Sequence, residues 1–246
     1  MQFYFIRHAQ SENNLLWQRT GSSKGRSVDP DLTAVGRRQA QILAQFLRGP
    51  DPTPVVEGRD RQNLAGFGLT HLYTSLMVRA VATGAVIARA LGPSLVARED
   101  THESGGLYLK DTQTDERFGQ PGYNRAYFEA HYPDLVLPDS LGGDGWWNRP
   151  YEEREERPAR ALRFWQDLFE RHGNTEDRVA LISHGGFYNH LLGALLKMPE
   201  PERFWFSMNN AAITRIDFRD GSDDFAERVN VVYMNRVDFL PPELVT

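Results

Sequence analysis

Short apolar runs alternate with helical patterns along most of this chain, and this alternation constrains the fold more than any other feature. Strand-like runs occur at residues 2–7, 71–74, 94–97 and 179–182. Between and after these runs, apolar residues recur at helical spacing, at about 33–48, 78–91, 154–171 and 185–195. A chain with this alternation usually forms a mostly parallel sheet covered by helices. The sequence therefore predicts an α/β fold, a three-layer α/β/α sandwich.

Two parts of the chain depart from the alternation. Strands are predicted at about 211–218 and 228–235, and the turn-rich Asp220-Gly221-Ser222-Asp223 between them indicates a hairpin that gives the sheet an antiparallel edge strand. Residues 104–150 mix glycines, prolines, aromatics and charges, which favours an inserted lid with a short helix at 123–131. We expect a single domain over residues 1–246. An edge strand near 94–97 or 228–235 could pair two subunits as a homodimer.

The composition excludes several classes of function. The chain has 28 Lys and Arg against 33 Asp and Glu and no block of basic residues, so no nucleic-acid partner is expected. It has no cysteine, which excludes disulfides, thiolate metal sites and a cysteine nucleophile. It opens directly in a strand and contains no run of 18 apolar residues. We therefore expect neither export nor membrane insertion, but a cytoplasmic protein.

The first strand ends abruptly in polar groups, with Arg7-His8 followed by Ala9-Gln10-Ser11. In open α/β sheets, ligands bind at the carboxyl ends of the strands. Arginine offers a planar fork of donors that suits phosphate. Its charge disfavours the imidazolium form of the neighbouring His8. A neutral imidazole beside an anion-binding group can act as a nucleophile toward a phosphoryl group.

Three later segments carry similar groups just after predicted strands. Ser183-His184-Gly185-Gly186 opens a helix, whose amino terminus favours an anion. Arg79 lies among apolar residues at the start of another helix, where a lone cation needs an anion or a solvent-filled cleft. Glu103 lies beside two glycines and is a candidate proton donor. Each residue alone also fits an ordinary structural role, but a parallel sheet would bring all of them into one cleft.

Taken in order, these segments resemble the histidine phosphatase superfamily, also called phosphoglycerate mutase-like. The matching stretches span residues 3 to 186 and are Arg7-His8-Ala9-Gln10-Ser11 with Asn14, Asp31-Leu32-Thr33 with Gly36, Tyr73-Thr74-Ser75 with Arg79-Ala80, His102-Glu103 with Gly106, and Ser183-His184-Gly185-Gly186. The sequence departs from the family at Ala9, where glycine is usual. A need for positive φ at that position would put activity in doubt.

The resemblance implies a role for each matching polar residue. His8 would be the nucleophile and become phosphorylated, and Glu103 would protonate the leaving oxygen and then activate water. The groups that would surround the transferring phosphoryl group are Arg7, Asn14, Arg79, His184 and Gly185. Two arginines and a histidine would supply the positive charge that a metal supplies in other phosphoryl-transfer enzymes, so no metal and no cofactor is expected. The partner would be a small phosphorylated substrate, whose leaving group these residues do not identify.

The lid bears on the choice between a phosphatase and a bisphosphoglycerate-dependent mutase. Mutases of this family resemble one another in a paired-arginine segment there, whereas the basic residues of 104–150 stand singly, as Lys110, Arg117, Arg125 and Arg149. The aromatic residues of the lid either line a pocket for a larger leaving group or pack the lid's own core; they are Tyr108, Phe118, Tyr123, Tyr127, Phe128, Trp146 and Trp147. We favour a metal-independent phosphatase.

Two interpretations of other kinds remain open at this point. A phospholigand-binding protein without turnover would result if Ala9 or a closed lid ended catalysis, although both histidines, both arginines and Glu103 are retained. A metallohydrolase would draw its ligands from histidines whose spacing matches no ligand motif, namely His71, His102, His131 and His172.

Overall fold

A computed structural model describes residues 1–111, 113–198, 201–218 and 229–246, and its regular elements follow the predicted order. The α-helices of this part are α1 (Glu12–Thr20), α2 (Ala34–Arg48), α3 (Val78–Leu91), α4 (Arg125–His131), α5 (Glu156–His172) and α6 (Gly185–Leu195). The strands are β1 (Gln2–Arg7), β2 (His71–Ser75), β3 (Leu95–Arg98), β4 (Tyr108–Lys110), β5 (Arg117–Gly119), β6 (Leu135–Val136), β7 (Arg178–Ser183), β8 (Ile213–Phe218) and β9 (Val229–Arg236). Short 3₁₀ helices occur at Glu99–Thr101, Pro201–Arg203 and Pro242–Leu244.

One sheet of seven strands organises the fold, in the order β6-β3-β2-β7-β1-β8-β9. The first five strands in this order pair in parallel, whereas β8 pairs antiparallel with both β1 and β9. The predicted mostly parallel sheet with an antiparallel edge is therefore confirmed, as is the antiparallel pairing of the last two strands. The predicted turn Asp220–Asp223 between them lies outside the described residues.

Alternate residues of the central strands face opposite layers of helices. Tyr4 and Ile6 belong to one buried cluster with residues of α2 and α3. Phe3 and Phe5 belong to a second cluster with residues of α5 and α6. Fully burying an apolar side chain of this size contributes about 1.5–3 kcal/mol, so both faces of β1 stabilise the sandwich. This arrangement confirms the predicted three layers.

Helix α1 was not predicted, because its sequence has no apolar face. None of its residues is buried. Its amino end is held by a capping box in which Asn14 Oδ1 accepts from the N–H of Ser11, and its carboxyl end stops at Gly21 in the left-handed region, with φ of 61°. Local capping therefore forms this helix where hydrophobic periodicity gives no signal.

The outer strands of the described sheet are β6 and β9. The expectation of an edge strand near 94–97 is therefore wrong, because β6 pairs with β3 and covers it. Residues 104–150 also contain the antiparallel pair β4–β5 and helix α4, capped by Asn124. No helix of the described residues is both long and apolar enough to cross a membrane.

Candidate active site

The carboxyl ends of β1, β7 and β2 bring the two predicted site histidines together. Arg7 and Ser183 are register partners at the ends of β1 and β7, and Thr74 of β2 pairs with Ile182. His8 and His184 follow directly, and their ring centroids lie 5.0 Å apart. Both side chains are buried. The sheet register thus brings together the polar strand ends that the sequence placed at one edge of the sheet.

The hydrogen bonds of His8 define which ring nitrogen is available for chemistry. Its Nδ1 lies 2.7 Å from the carbonyl oxygen of Ala9, which can only accept, so Nδ1 carries the proton. Its Nε2 accepts from Arg79 Nε at 3.2 Å. Burial holds the pKa of His8 well below its usual value, and the charges of Arg79 and Arg7 lower it further. The ring is therefore neutral, with the Nε2 lone pair directed at a guanidinium.

Arg79 is positioned by a buried carboxylate that sequence reasoning missed. Its Nη1 lies 3.6 Å from Asp29 Oδ1, which also accepts from the N–H of Val78 at 3.1 Å. Burial raises the pKa of Asp29 to about 7, against the opposing effect of Arg79. Asp29 comes two residues before the matched Asp31-Leu32-Thr33 stretch. Only the tertiary structure shows that it faces Arg79.

Ala9 is accommodated without backbone strain. Its φ is not positive, so the usual glycine is not needed for conformation here. Its N–H donates to Thr83 Oγ1 at 3.1 Å, and that hydroxyl donates to the carbonyl oxygen of Arg79 at 2.8 Å. Thr83 therefore ties the loop after His8 to the helix that carries Arg79.

Arg7 and His184 each keep one buried polar atom without a hydrogen-bond partner among the described residues, Arg7 Nε and His184 Nδ1. The guanidinium of Arg7 donates elsewhere to the carbonyl oxygen of Met208. His184 Nε2 lies 2.9 Å from Ser75 Oγ. Burial lowers the pKa of His184 well below its usual value, and the charge of Arg79 adds to this effect. Unsatisfied buried groups are rare in folded proteins, and at this cleft they are suited to an anionic ligand.

Glu103 is held against the amino terminus of α6. Its carboxylate accepts from the N–H of Ser104 at 2.7 Å and from those of Gly186 and Phe187 at 3.2 Å each. A Cβ at position 186 would lie 2.2 Å from Glu103 Oε1, so this close approach requires glycine. The second glycine of the Gly185-Gly186 pair therefore has a specific structural reason.

Asn14 lies near His8, and Gly185 lies near Arg7. Asn14 Oδ1 accepts from Ser11 and from Asn210 Nδ2, and the same Nδ2 atom donates to the carbonyl oxygen of His8 at 3.0 Å. Gly185 begins α6, so its N–H has no acceptor within the helix, and a Cβ there would lie 3.8 Å from Arg7 Nε. Asn210 is a second residue that sequence reasoning missed, because it lies 202 residues from His8.

Comparison with known proteins decides the family. The family model of the histidine phosphatase superfamily (branch 1) matches residues 3–57 and 59–231. The chain belongs to the histidine phosphatase superfamily. A putative phosphoserine phosphatase 2 of Hydrogenobacter thermophilus is 28% identical over 249 aligned residues, which cover 96% of each chain. A probable phosphoglycerate mutase GpmB of Photorhabdus laumondii is 23% identical over 219 residues, 89% of this chain and 86% of that protein.

Solved structures of two phosphatases share this fold. The phosphoserine phosphatase of Entamoeba histolytica, in complex with 3-phosphoglyceric acid, superposes with a TM-score of 0.58 at 20% identity and covers 98% of this chain and 99% of its own. A mycobacterial glucosyl-3-phosphoglycerate phosphatase with bound VO3 gives a TM-score of 0.56 at 20% identity, covering 94% and 97%. At this identity the likeness establishes the architecture of this histidine phosphatase superfamily member and not its substrate.

Three of the aromatic residues of the lid are buried in this histidine phosphatase superfamily member. Phe128, Trp146 and Trp147 are buried in the cluster that includes α2 and α3. Trp147 packs edge-on against His102, with ring centroids 4.6 Å apart. The packing interpretation is therefore confirmed for these three residues. Tyr108 is half-buried, and its ring lies beside Gly105. Gly105 follows Glu103 by two residues, so Tyr108 is close to the predicted proton donor.

Proposed function

We propose that this chain is a phosphomonoester hydrolase that acts through a phosphohistidine at His8. The observation that carries the proposal is the buried, neutral imidazole of His8, whose Nε2 lies 3.2 Å from the guanidinium nitrogen of Arg79. A phosphoryl group bound by Arg79 and Arg7 would lie next to that lone pair. Membership of the histidine phosphatase superfamily supports this reaction class.

The reaction consists of two in-line transfers. First, Nε2 of His8 forms a bond to phosphorus while the ester P–O bond breaks, and Glu103 gives its proton to the departing oxygen. Then Glu103 takes a proton from water as the water oxygen attacks phosphorus, and the P–N bond breaks to release phosphate and neutral His8. Arg7, Arg79 and His184 stabilise the charge on the equatorial oxygens in both steps.

The surroundings of Glu103 favour a leaving group that carries an anion. Arg26 lies 4.4 Å above the ring of Tyr108, and no carboxylate among the described residues pairs with its guanidinium. Burial lowers the pKa of Arg79, and the charge of Arg26 adds to that lowering, so the two cations are close enough to interact. Phosphoserine and 3-phosphoglyceric acid, which are the ligands in two similar solved structures, both carry a carboxylate. We extend the proposal to substrates of this class, enclosed by residues 104–150 acting as a lid on a single domain.

A phosphoglycerate mutase is the second candidate, because several relatives bear that name. The basic residues of the lid favour hydrolysis instead, since each already contacts another group of the protein. Lys110 pairs with Asp115 at 2.7 Å, Arg117 donates to Tyr151 Oη at 2.9 Å, Arg125 donates to the carbonyl oxygen of Pro138 at 2.7 Å, and Arg149 lies 4.1 Å above the ring of Trp147. Three of these four cations therefore have hydrogen-bonding or ion-pair partners, and no two of the four are adjacent in the sequence as the paired arginines of the mutases are.

The test is phosphate release from a panel of phosphomonoesters in the presence of EDTA. The panel contains phosphoserine, 3-phosphoglycerate, sugar phosphates, nucleotides and p-nitrophenyl phosphate. Wild type and His131→Ala, which removes an exposed histidine of α4, should release phosphate equally, and His8→Ala should release none. Acid-labile phosphate should be trapped on wild type and be missing from His8→Ala. Arg26→Met should raise KM for phosphoserine and leave p-nitrophenyl phosphate unaffected.

Other outcomes assign the protein elsewhere. Unchanged release by His8→Ala would refute the mechanism. No release, but isomerisation of 3-phosphoglycerate after priming with bisphosphoglycerate, would identify a mutase. Phosphate binding by calorimetry without either reaction would identify a binding protein.

A further inference from the structure

Three potential metal ligands meet at the amino end of the sheet, away from the candidate active site. His71 begins β2, His172 ends α5, and Asp177 directly precedes β7. One ligand atom from each lies within 4.8 Å of the others, and in the described part of the chain this is the one group of three or more His, Asp or Glu residues that meets this condition. The sequence could not reveal the cluster, because no recurring spacing links residues 71 and 172.

The distances within the cluster are close to those of a first-row metal centre. Asp177 Oδ2 lies 2.8 Å from His172 Nδ1, and Asp177 Oδ1 lies 3.8 Å from His71 Nδ1. Ligand atoms about 2.0–2.1 Å from a tetrahedral zinc ion are about 3.4 Å apart. Side-chain movements of about 1 Å would therefore convert the hydrogen-bonded cluster into a coordination shell. A site with two imidazoles and a carboxylate binds zinc, nickel, cobalt or copper(II) in preference to magnesium or calcium.

Tyr73 orients the buried ligand. His172 is 5% exposed, and its Nε2 lies 2.9 Å from Tyr73 Oη. When Nδ1 of a histidine binds a metal, its Nε2 carries the proton and needs an acceptor. The hydroxyl oxygen of Tyr73 can accept a hydrogen bond from that Nε2–H group without moving. The ring is thus already held with Nδ1 toward Asp177 and His71.

The other two ligands leave a path from solvent. The side chains of His71 and Asp177 are 42% and 26% exposed. An ion can therefore reach the cluster, and water can complete its coordination. His71 pairs in register with Val179, and Val179 pairs with Phe3 at the start of β1. His8 follows Phe3 by five residues, which separates the two by about 16 Å along the strand direction.

We propose that His71, His172 and Asp177 bind one divalent transition-metal ion, zinc or an ion of similar chemistry. The ion would join the start of β2, the end of α5 and the start of β7. These lie at the amino ends of the parallel strands, whereas the catalytic groups lie at the carboxyl ends. Its effect is on stability, because a ligand that binds only the folded chain shifts the unfolding equilibrium. It supplies no group to His8 or Glu103.

The test uses EDTA-treated, dialysed full-length protein titrated with ZnCl2, by calorimetry and by thermal unfolding. Wild type should bind one ion per chain, and a free zinc concentration 100 times Kd should raise Tm by about 5–10 °C. His71→Ala and Asp177→Asn change partly exposed side chains, and each should weaken binding at least tenfold. His131→Ala, a surface histidine outside the cluster, should bind like wild type.

Circular dichroism of each variant without metal establishes that it is folded. Wild type should release phosphate equally at saturating zinc and in EDTA. His71→Ala is the control for zinc that binds at the catalytic histidines, because such inhibition would be the same in this variant and in wild type. Absence of zinc binding by wild type would overturn the proposal. Binding that persists unchanged in both His71→Ala and Asp177→Asn would also overturn it, because the ion would then lie elsewhere.

Discussion

One added methyl group at position 186 tests how Glu103 is held. A Cβ there would lie 2.2 Å from Glu103 Oε1 and 2.6 Å from Ser104 Oγ, so Gly186→Ala must push the carboxylate away from the amino terminus of α6. A Cβ at position 185 would meet its nearest atom, Arg7 Nε, at 3.8 Å, which is an ordinary contact. Gly185→Ala is therefore a matched control in the same helical turn.

The expected loss of stability is moderate. The carboxylate of Glu103 would lose its bonds from the N–H groups of Gly186 and Phe187, both 3.2 Å long. A hydrogen bond to a charged group contributes about 1.5–3 kcal/mol, and the partial exposure of Glu103 puts each at the lower end. Alanine offsets about 1 kcal/mol of this loss, because it favours the helix over glycine. The net loss of about 2 kcal/mol should lower Tm by roughly 4–8 °C.

The effect on catalysis should be larger and should depend on the leaving group. General acid catalysis contributes about 10²–10⁴-fold, and only where the departing oxygen needs a proton. Gly186→Ala should lower kcat/KM for phosphoserine at least about 100-fold. It should lower the value for p-nitrophenyl phosphate much less, because a nitrophenolate leaves without protonation. Steady-state kinetics well below the Tm of both variants measures this difference.

Three results would refute the reasoning. In the first, Gly186→Ala has the same kcat/KM for phosphoserine as wild type, while Glu103→Gln loses most of its kcat/KM. Catalysis would then not depend on the carboxylate position that α6 fixes. Equal losses on both substrates would contradict proton donation. A similar loss in Gly185→Ala would assign the effect to the helix rather than to Glu103.

Three further predictions follow from buried polar groups near the cleft. Glu152→Gln removes the charge that faces Arg160 Nη2 at 2.9 Å in a buried ion pair. The free energy of unfolding should fall by about 3 kcal/mol, and thermal melts should show a Tm lower by roughly 6–12 °C. An unchanged Tm would show that the ion pair does not stabilise the fold. Burial raises the pKa of Asp29 to about 7, so between about pH 4 and 7 the folded state binds more protons than the unfolded state and this group makes the protein less stable as pH rises. Asp29→Asn should remove that contribution from denaturant unfolding curves measured across this pH range, and an identical pH slope in both proteins would contradict it. Ser75→Ala deletes the partner of His184 Nε2 and should lower kcat/KM about fivefold without changing Tm by more than a few degrees; full activity would show that His184 needs no such support.

Much of the architecture could be predicted because it depends on local patterns. The period of apolar residues identified the strands and helices that cover both faces of the sheet. Thr33 caps α2 as predicted, with its Oγ1 accepting from the N–H of Gly36 at 2.9 Å. Helix α1 and strand β6 were not predicted, because their sequences lack a hydrophobic period. The first has no apolar face and the second has only two residues, so neither produces a period.

The sequence by itself determined the polar strand ends and their order, and hence the grouping of His8, His184, Arg79 and Glu103 at one edge of the sheet. The conclusion was available because parallel strands carry their carboxyl ends to one edge. Tertiary structure alone decided which groups support them: Asp29 beside Arg79, Asn210 at the carbonyl of His8, and the amino terminus of α6 beneath Glu103. It also decided the meeting of His71, His172 and Asp177. These contacts join segments far apart in the chain, and no local period or propensity records which distant side chains a folded sheet brings within hydrogen-bonding distance.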